Sequence, residues 1–410
     1  MTDILIARRS LLLGAAAVTL AAGTSRLALA AADTDRRFVF VLLRGGMDGL
    51  AAVAPYGDND YARLRGSLAL AKPGEADGAL DLDGFFALHP SLAPIHSWFK
   101  EGALLPVHAV ATSYRDRSHF DAQDLLENGT KAPHAASDGW LNRTLSLLPG
   151  AGERRLGLAV GQQVPLVLRG PVQVASWAPS NIPAAQPGFL DLVREIYKGD
   201  KLFSTALANG IAASDGASSA LGDDMKTMGK PPANGAPRPA AAVTLATAAG
   251  KMLAEANGPR IAVLELGGWD THAGQGAARG RFAGAATALA DSLVALRTSL
   301  GPAWQDTVIA VATEFGRTAA VNGTGGTDHG TAGAAFLAGG AVAGGRVAGK
   351  WPGLAADKLY QARDLAPTTD LRAVLKGALR DHLRLPTAKL DTAVFKDSSD
   401  APPLAGLIRV

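Results

Sequence analysis

The chain has 410 residues, 48% of them hydrophobic and 19% charged, with no cysteine and a formal net charge of +3. That length and apolar content support one large α/β domain or two ordinary ones and exclude a disordered chain. Residues 1–30 hold Arg8, Arg9 and Arg26 against Asp3 alone, so the remainder is nearly neutral and signals no nucleic acid, while the lack of Cys excludes a disulfide framework.

The opening segment, MTDILIARRSLLLGAAAVTLAAGTSRLALA, combines a charged start, an apolar run and a small-x-small end at Ala28-Leu29-Ala30. That grammar predicts a secretory signal over 1–30. Arg8 and Arg9 directly before the apolar run resemble the twin-arginine type, which exports folded proteins, so a periplasmic or secreted location is expected. The alternative is a short membrane anchor, although Gly14 and Gly23 interrupt the run. No later stretch is long and apolar enough to span a bilayer, so no stable membrane insertion is expected after signal removal.

FVFVLL (38–43) is a continuous apolar run, which predicts a strand buried on both faces, and a Gly-containing turn follows it. SHFDAQDLLENG (118–129) starts at a good N-cap, carries acids in its first turns and ends at Gly, so it predicts a short helix. FLDLVREIYKG (189–199) predicts another, and the Gly, Ala, Ser and Pro-rich stretch near 214–242 predicts a flexible insertion. RIAVLELGGWDTH (260–272) and DTVIAVATEFGRT (306–318) each run from an apolar strand into Gly and polar residues. Between them Phe282, Ala285, Leu289, Leu293 and Leu296 recur at helical spacing, which makes a strand-helix-strand crossover. One elaborated α/β domain over 31–410 is expected, with a central, mostly parallel β-sheet flanked by helices and ligands bound at the carboxyl ends of the strands.

The polar clusters fall at those ends. Asp270 and His272, at i and i+2, can face the same side and converge on one cation; the plainer alternative is a turn with a capping Asp and an exposed His. Glu314 and Arg317 follow the next strand, where an acid is as readily a solvated cap or a partner for Arg. Asp328 and His329 are adjacent, in the Gly-rich stretch GGTDHGTAGAAFLAGG (325–340), where small residues permit close backbone approach to a ligand or ion. Asp48 and Arg44 flank a double Gly that lacks the spacing of a Walker loop or a dinucleotide fingerprint. Neither H-E-x-x-H nor paired Cys occurs, which removes zincin proteases and zinc ribbons.

FVFVLLRGGMDGLAAVAPY, SHFDAQDLLENG, GGWDTH, TEFGRT, GTDHG and GGRVAGKWPGL occur in this order across the chain, and in them it resembles the family of exported bacterial proteins called domain of unknown function 1501. That family is similar to the alkaline phosphatase and sulfatase superfamily. The resemblance implies an alkaline phosphatase-like three-layer sandwich whose strand ends carry one or two divalent metals and a nucleophile. Asp48, Asp270, His272, Asp328 and His329 would be metal ligands, with Glu314 and His119 as further ones. Ser118 is the positional match to the nucleophile, with Asp121 or Asp124 as neighbours; its plainer role is N-capping.

Two functions follow. One is a metal-dependent hydrolase of a small anionic phosphate or sulfate ester, in which Zn or Mn, and less suitably Ca or Mg, activates Ser118 or water while Arg44 or Arg317 grips the anion. The other is a non-catalytic exported binding or assembly protein that keeps the fold and works with an exported protein partner.

Overall fold

The structure, a computed structural model, describes residues 35–151, 156–179, 188–201, 203–204, 207–208, 211, 220–221 and 238–409. The expected signal at 1–30 lies outside these residues, as does most of the expected insertion near 214–242; residues 238–242 open a helix.

Strand β1 (Arg37–Arg44) is buried from Arg37 through Leu43. Its side chains alternate between two apolar clusters, Val39, Val41 and Leu43 on one face and Phe38, Phe40 and Leu42 on the other, which is why the run reads as continuously apolar. A short helix α1 (Gly49–Ala52) follows. Next come β2 (Val53–Ala54), helix α2 (Tyr61–Arg65), β3 (Leu80–Asp81) and β4 (Ala87–Leu88), the three strands forming a small antiparallel sheet. Then follow α3 (Ala93–Lys100), β5 (Leu104–Ala111), α4 (His119–Asn128), α5 (Trp140–Leu145), β6 (Gly157–Val160), β7 (Ala175–Trp177) and α6 (Phe189–Tyr197). Next come α7 (Arg238–Ala254), β8 (Ile261–Gly267), α8 (Arg281–Leu300), β9 (Thr307–Thr313), β10 (Gly333–Ala338), β11 (Thr369–Asp370) and α9 (Leu371–His382), with short helical turns at Thr387–Lys389 and Leu390–Val394 after them.

The main sheet has eight strands in the order β11-β5-β10-β9-β1-β8-β6-β7. Every pairing in it is parallel except those of β10, which runs against both neighbours. Helices α3, α7 and α8 pack on one face through residues such as Trp98, Leu253 and Leu293. Helices α4, α5 and α9 cover the other through Leu126, Trp140 and Leu375. The result is an α/β arrangement with a large mixed sheet flanked by helices. Helix α8 is the expected crossover, with Phe282, Leu289, Leu293 and Leu296 buried, and α4 runs from an Ser118 N-cap to Gly129 at φ 68°, as its ends predict. Among the described residues no helix is long and apolar enough to cross a membrane.

Strand direction decides where the polar clusters meet. In register, Arg44 lies beside Gly267 and Leu43 beside Thr313, so β1, β8 and β9 end on one edge. Because β10 runs the other way, the residues before it, including Asp328 and His329, arrive at that same edge. Strand β10 itself had no sequence forecast; its six residues, mostly Gly and Ala, are all buried.

Candidate metal centre

The stretch around Asp328 and His329 is made of small residues because backbone meets backbone there. A Cβ on Gly326 would stand 2.4 Å from the carbonyl carbon of His272, and one on Gly330 would stand 2.4 Å from the carbonyl carbon of Arg317. Only Gly therefore allows this loop to lie against both the segment after β8 and the segment after β9. The sequence predicts that these glycines admit a ligand or ion; what they admit here is the neighbouring backbone, and the packing brings His329 to His272.

His119, Asp270 and His329 each bring one donor atom within 4.8 Å of the others. His119 Nε2 lies 3.7 Å from Asp270 Oδ2, and His329 Nε2 lies 3.7 Å from Asp270 Oδ1. His272 joins from the side, with Nε2 3.2 Å from Asp270 Oδ1 and 2.8 Å from His329 Nε2. The rings of His119 and His329 meet edge to face at 4.3 Å, and Phe315 closes the apolar side of both.

The far nitrogen of each ring is occupied. His119 Nδ1 donates to Glu314 Oε1 at 2.8 Å, His329 Nδ1 to the Arg117 carbonyl at 2.9 Å, and His272 Nδ1 to Asp328 Oδ1 at 3.2 Å. With the protons on Nδ1, three Nε2 lone pairs turn toward the Asp270 carboxylate. His119 Nε2 is buried without a hydrogen-bond partner. Two lone pairs 2.8 Å apart, on His272 and His329, repel unless a cation or an extra proton lies between them. Backbone strain serves the same end: Arg117, at φ 62°, holds the unfavourable left-handed region while its carbonyl receives His329.

The charge states fit this geometry. Burial pushes the Asp270 carboxyl up, but the hydrogen bond and charge of Arg317 outweigh it and hold it below its ordinary range. Burial likewise raises Glu314, and hydrogen bonds from His119 and Gln123 bring it down to about 2. A hydrogen bond from Asn322, followed by that from His272, lowers Asp328, and burial lowers His329. A carboxylate beside imidazoles is the donor set of a divalent transition metal.

Other expected residues stand elsewhere. Asp48 is buried, caps α1 through Leu50 N at 3.0 Å, pairs with Arg65 and accepts from Gln275 at 2.6 Å. Both its oxygens are thus used. Arg44 is paired with Glu127 and Glu265. Arg317 is 1% exposed, and its guanidinium donates to the carbonyls of Gly45, Gly46 and Thr327 and to Asp270. It props Asp270 and offers no open fork to an anion. The double Gly is likewise committed, with Gly45 N donating to Glu314 and Met47 N to Thr313, so it cradles no phosphate. Ser118 takes the N-cap position of α4, but its hydroxyl makes no capping bond and lies beside the Tyr114 phenol. Asp121 accepts from Tyr114, and Asp124 from Asn128 and His134 N.

Sequence reasoning missed Arg117, Gln123 and Asn322. Gln123 lies four residues after His119 on α4, a spacing that places both on one helix face and offered a signal. Arg117 acts through its carbonyl, which any residue supplies, so nothing in the sequence marked it.

Comparison with curated proteins and with solved structures returns no match. Residues 35–394 match the family described as Protein of unknown function (DUF1501), a span that includes every strand of the main sheet and every histidine of the cluster, and the chain belongs to that family.

Proposed function

We propose that the protein is an exported, metal-dependent hydrolase of a phosphate or sulfate ester, built as a single domain of the alkaline phosphatase-like sandwich type. The observation that carries this reading is the buried, unpartnered Nε2 of His119, aimed with His329 Nε2 at the Asp270 carboxylate. A buried polar atom without a partner costs stability, and a cation removes that cost. His119, Asp270 and His329 would hold the ion and His272 would complete the donor set. Imidazole-rich ligation without thiolate suits Zn first and Mn second, and suits Ca or Mg less. When bound, such an ion supplies Lewis acidity toward an ester oxygen.

The chain's own residues divide the remaining work. Ser118, directly before His119, is the candidate nucleophile. Arg317 holds Asp270 in place, and Phe315 excludes water from one side of the rings. A second reading, a non-catalytic exported binding protein with the same metal, draws on the commitment of both Arg44 and Arg317 to other partners, which leaves neither free for an ester anion.

The test uses protein purified after native export, without chelators. Metal analysis comes first, followed by a panel of aryl phosphate monoesters, diesters and aryl sulfates at neutral to alkaline pH. Turnover above a D270A/H329A control, lost in S118A with metal content intact, is the expected result. Metal without turnover on any substrate selects the binding protein, and protein that takes up neither Zn nor Mn overturns both readings.

A further inference from the structure

We infer that Glu314 is a positioning residue that fixes the tautomer of His119, so that the ring presents a lone pair rather than an N–H to the cluster. This deepens the metal-site reading and rests on it. Glu314 was a natural ligand candidate from its place after β9, but the oxygen that faces His119 is already taken by three donors. Its side chain is fully enclosed. Oε1 accepts from Gly45 N at 2.9 Å, from Gln123 Nε2 at 3.0 Å and from His119 Nδ1 at 2.8 Å. Oε2 accepts from the Thr313 hydroxyl at 2.8 Å.

These four donors come from the loop after β1, from two positions of α4 and from the end of β9 itself. A carboxylate gripped from three directions cannot rotate, and it accepts but does not donate. The nitrogen of His119 that faces it must therefore carry the proton. That leaves the other nitrogen, the buried and unpartnered Nε2, as the bare one. The same full negative charge, placed behind the ring, strengthens the imidazole as a donor, which is the usual effect of a carboxylate behind a metal-bound histidine. Without Glu314 the ring is free to carry its proton on Nε2, where an N–H would point at the site the cation needs.

Two substitutions separate the parts of this role. Glu314→Gln keeps an accepting oxygen toward His119 but removes the charge, whereas Glu314→Ala removes both. The mature full-length chain is stripped of metal, and the His119 tautomer is read from its imidazole nitrogen resonances. Zn2+ affinity is measured by competition with a chelator, and the melting temperature of the metal-free protein is recorded alongside. The expected pattern is an Nδ1–H tautomer in wild type and E314Q, a shift to Nε2–H in E314A, and Zn2+ binding weaker by about 10- to 100-fold in E314Q and by more in E314A.

A merely structural role would lower the melting temperature while leaving tautomer and affinity as in wild type, and that outcome overturns the inference. Should E314A fail to fold, E314Q decides: affinity within about twofold of wild type refutes the charge effect. Failure of wild type to bind either Zn2+ or Mn2+ would sink the metal reading, and the wild-type tautomer then judges Glu314 alone, with an Nε2–H ring refuting it.

Discussion

Asp48 and Asp270 follow neighbouring strands of one sheet, each a few residues past a Gly-rich strand end and each in contact with a buried arginine, yet they do opposite things. Around Asp48 every valence is spent: Arg65, Gln275 and the first amides of α1 take both oxygens, and the carboxylate is 1% exposed. Around Asp270 the partners are imidazoles with bare nitrogens, and half of its side chain is open to solvent. The histidines repeat the contrast. His108 is enclosed and satisfied, with Nδ1 accepting from Ala109 N at 2.9 Å and Nε2 donating to the Val53 carbonyl at 2.8 Å. His119 is anchored at one nitrogen and bare at the other. A metal-competent residue type at a strand end is thus no sign of a metal; what separates these positions is whether their donor atoms are already taken.

The contrast breaks most visibly at Asp48. Asp48→Ala leaves Arg65 as an uncompensated charge in the interior, and the expected loss of stability is about 3–5 kcal/mol by denaturant unfolding. The fraction that stays folded should carry as much metal as wild type. Metal loss in folded D48A would place Asp48 in the same working unit as Asp270 and erase the distinction.

Asp270→Asn is the converse. Arg317 keeps its carbonyl acceptors, so the metal-free fold should change little, but the response to metal should vanish. In wild type, Zn2+ at 100 times its dissociation constant stabilises the fold by about 2.7 kcal/mol. A chelator should lower the wild-type melting temperature and leave D270N unmoved. Equal chelator sensitivity in both proteins would remove Asp270 from the centre.

Much of this architecture was legible before the structure, and the limits have physical causes. A central strand buries both faces and so reads as an unbroken apolar run, which exposed β1, and a helix on a sheet reads by its periodic Leu residues, which exposed α8. Strand β10 was passed over because GAAFLA is short and mostly Gly and Ala, although Phe336 and Leu337 bury its two faces in the two apolar clusters. At the site, His119, Asp270 and His329 were named as ligands from the sequence and are brought together. Asp48 was named as a ligand too, and Glu314 as a further one, because sequence shows an acid but not what spends it. The partners of Asp48 lie 17 and 227 residues away.

His108 gives the enclosed region its own pH signature. Burial, offset only in part by the Val53 hydrogen bond and the charge of Asp48, pushes its pKa down to about 4 from the ordinary 6.5. Because the folded value lies below the unfolded one, the unfolded chain takes up the proton first on acidification. Stability from this group is therefore complete above pH about 6.5 and declines as pH falls toward about 4. Between pH 6.5 and 5 the expected loss is about 2 kcal/mol. His382, also lowered to about 4 by burial, adds a second such contribution. In chelator-treated protein, replacing His108 with Asn should flatten the slope by roughly one proton's worth, and an unchanged slope would show that His108 takes up its proton equally in the folded and unfolded chains, so that burial does not depress it.

The finest test lies between the two regions, at Asp328, a half-exposed carboxylate whose Oδ1 serves His272 at 3.2 Å and Asn322 at 3.1 Å. Sequence reasoning made it a ligand. Its geometry makes it the anchor of the outermost imidazole, standing to His272 as Glu314 stands to His119, but in solvent instead of in the interior. Water can replace part of what a half-exposed carboxylate supplies, so its removal should matter less than that of an enclosed one. Asp328→Ala should weaken Zn2+ binding by about tenfold, the low end for groups behind a metal ligand and equivalent to about 1.4 kcal/mol. Little packing is lost, because the loop on either side is held by backbone contacts of Gly326 and Gly330, and the metal-free melting temperature should barely move. Complete loss of Zn2+ in D328A would return Asp328 to the ligand set, and loss of fold without loss of affinity would make the loop a structural clasp.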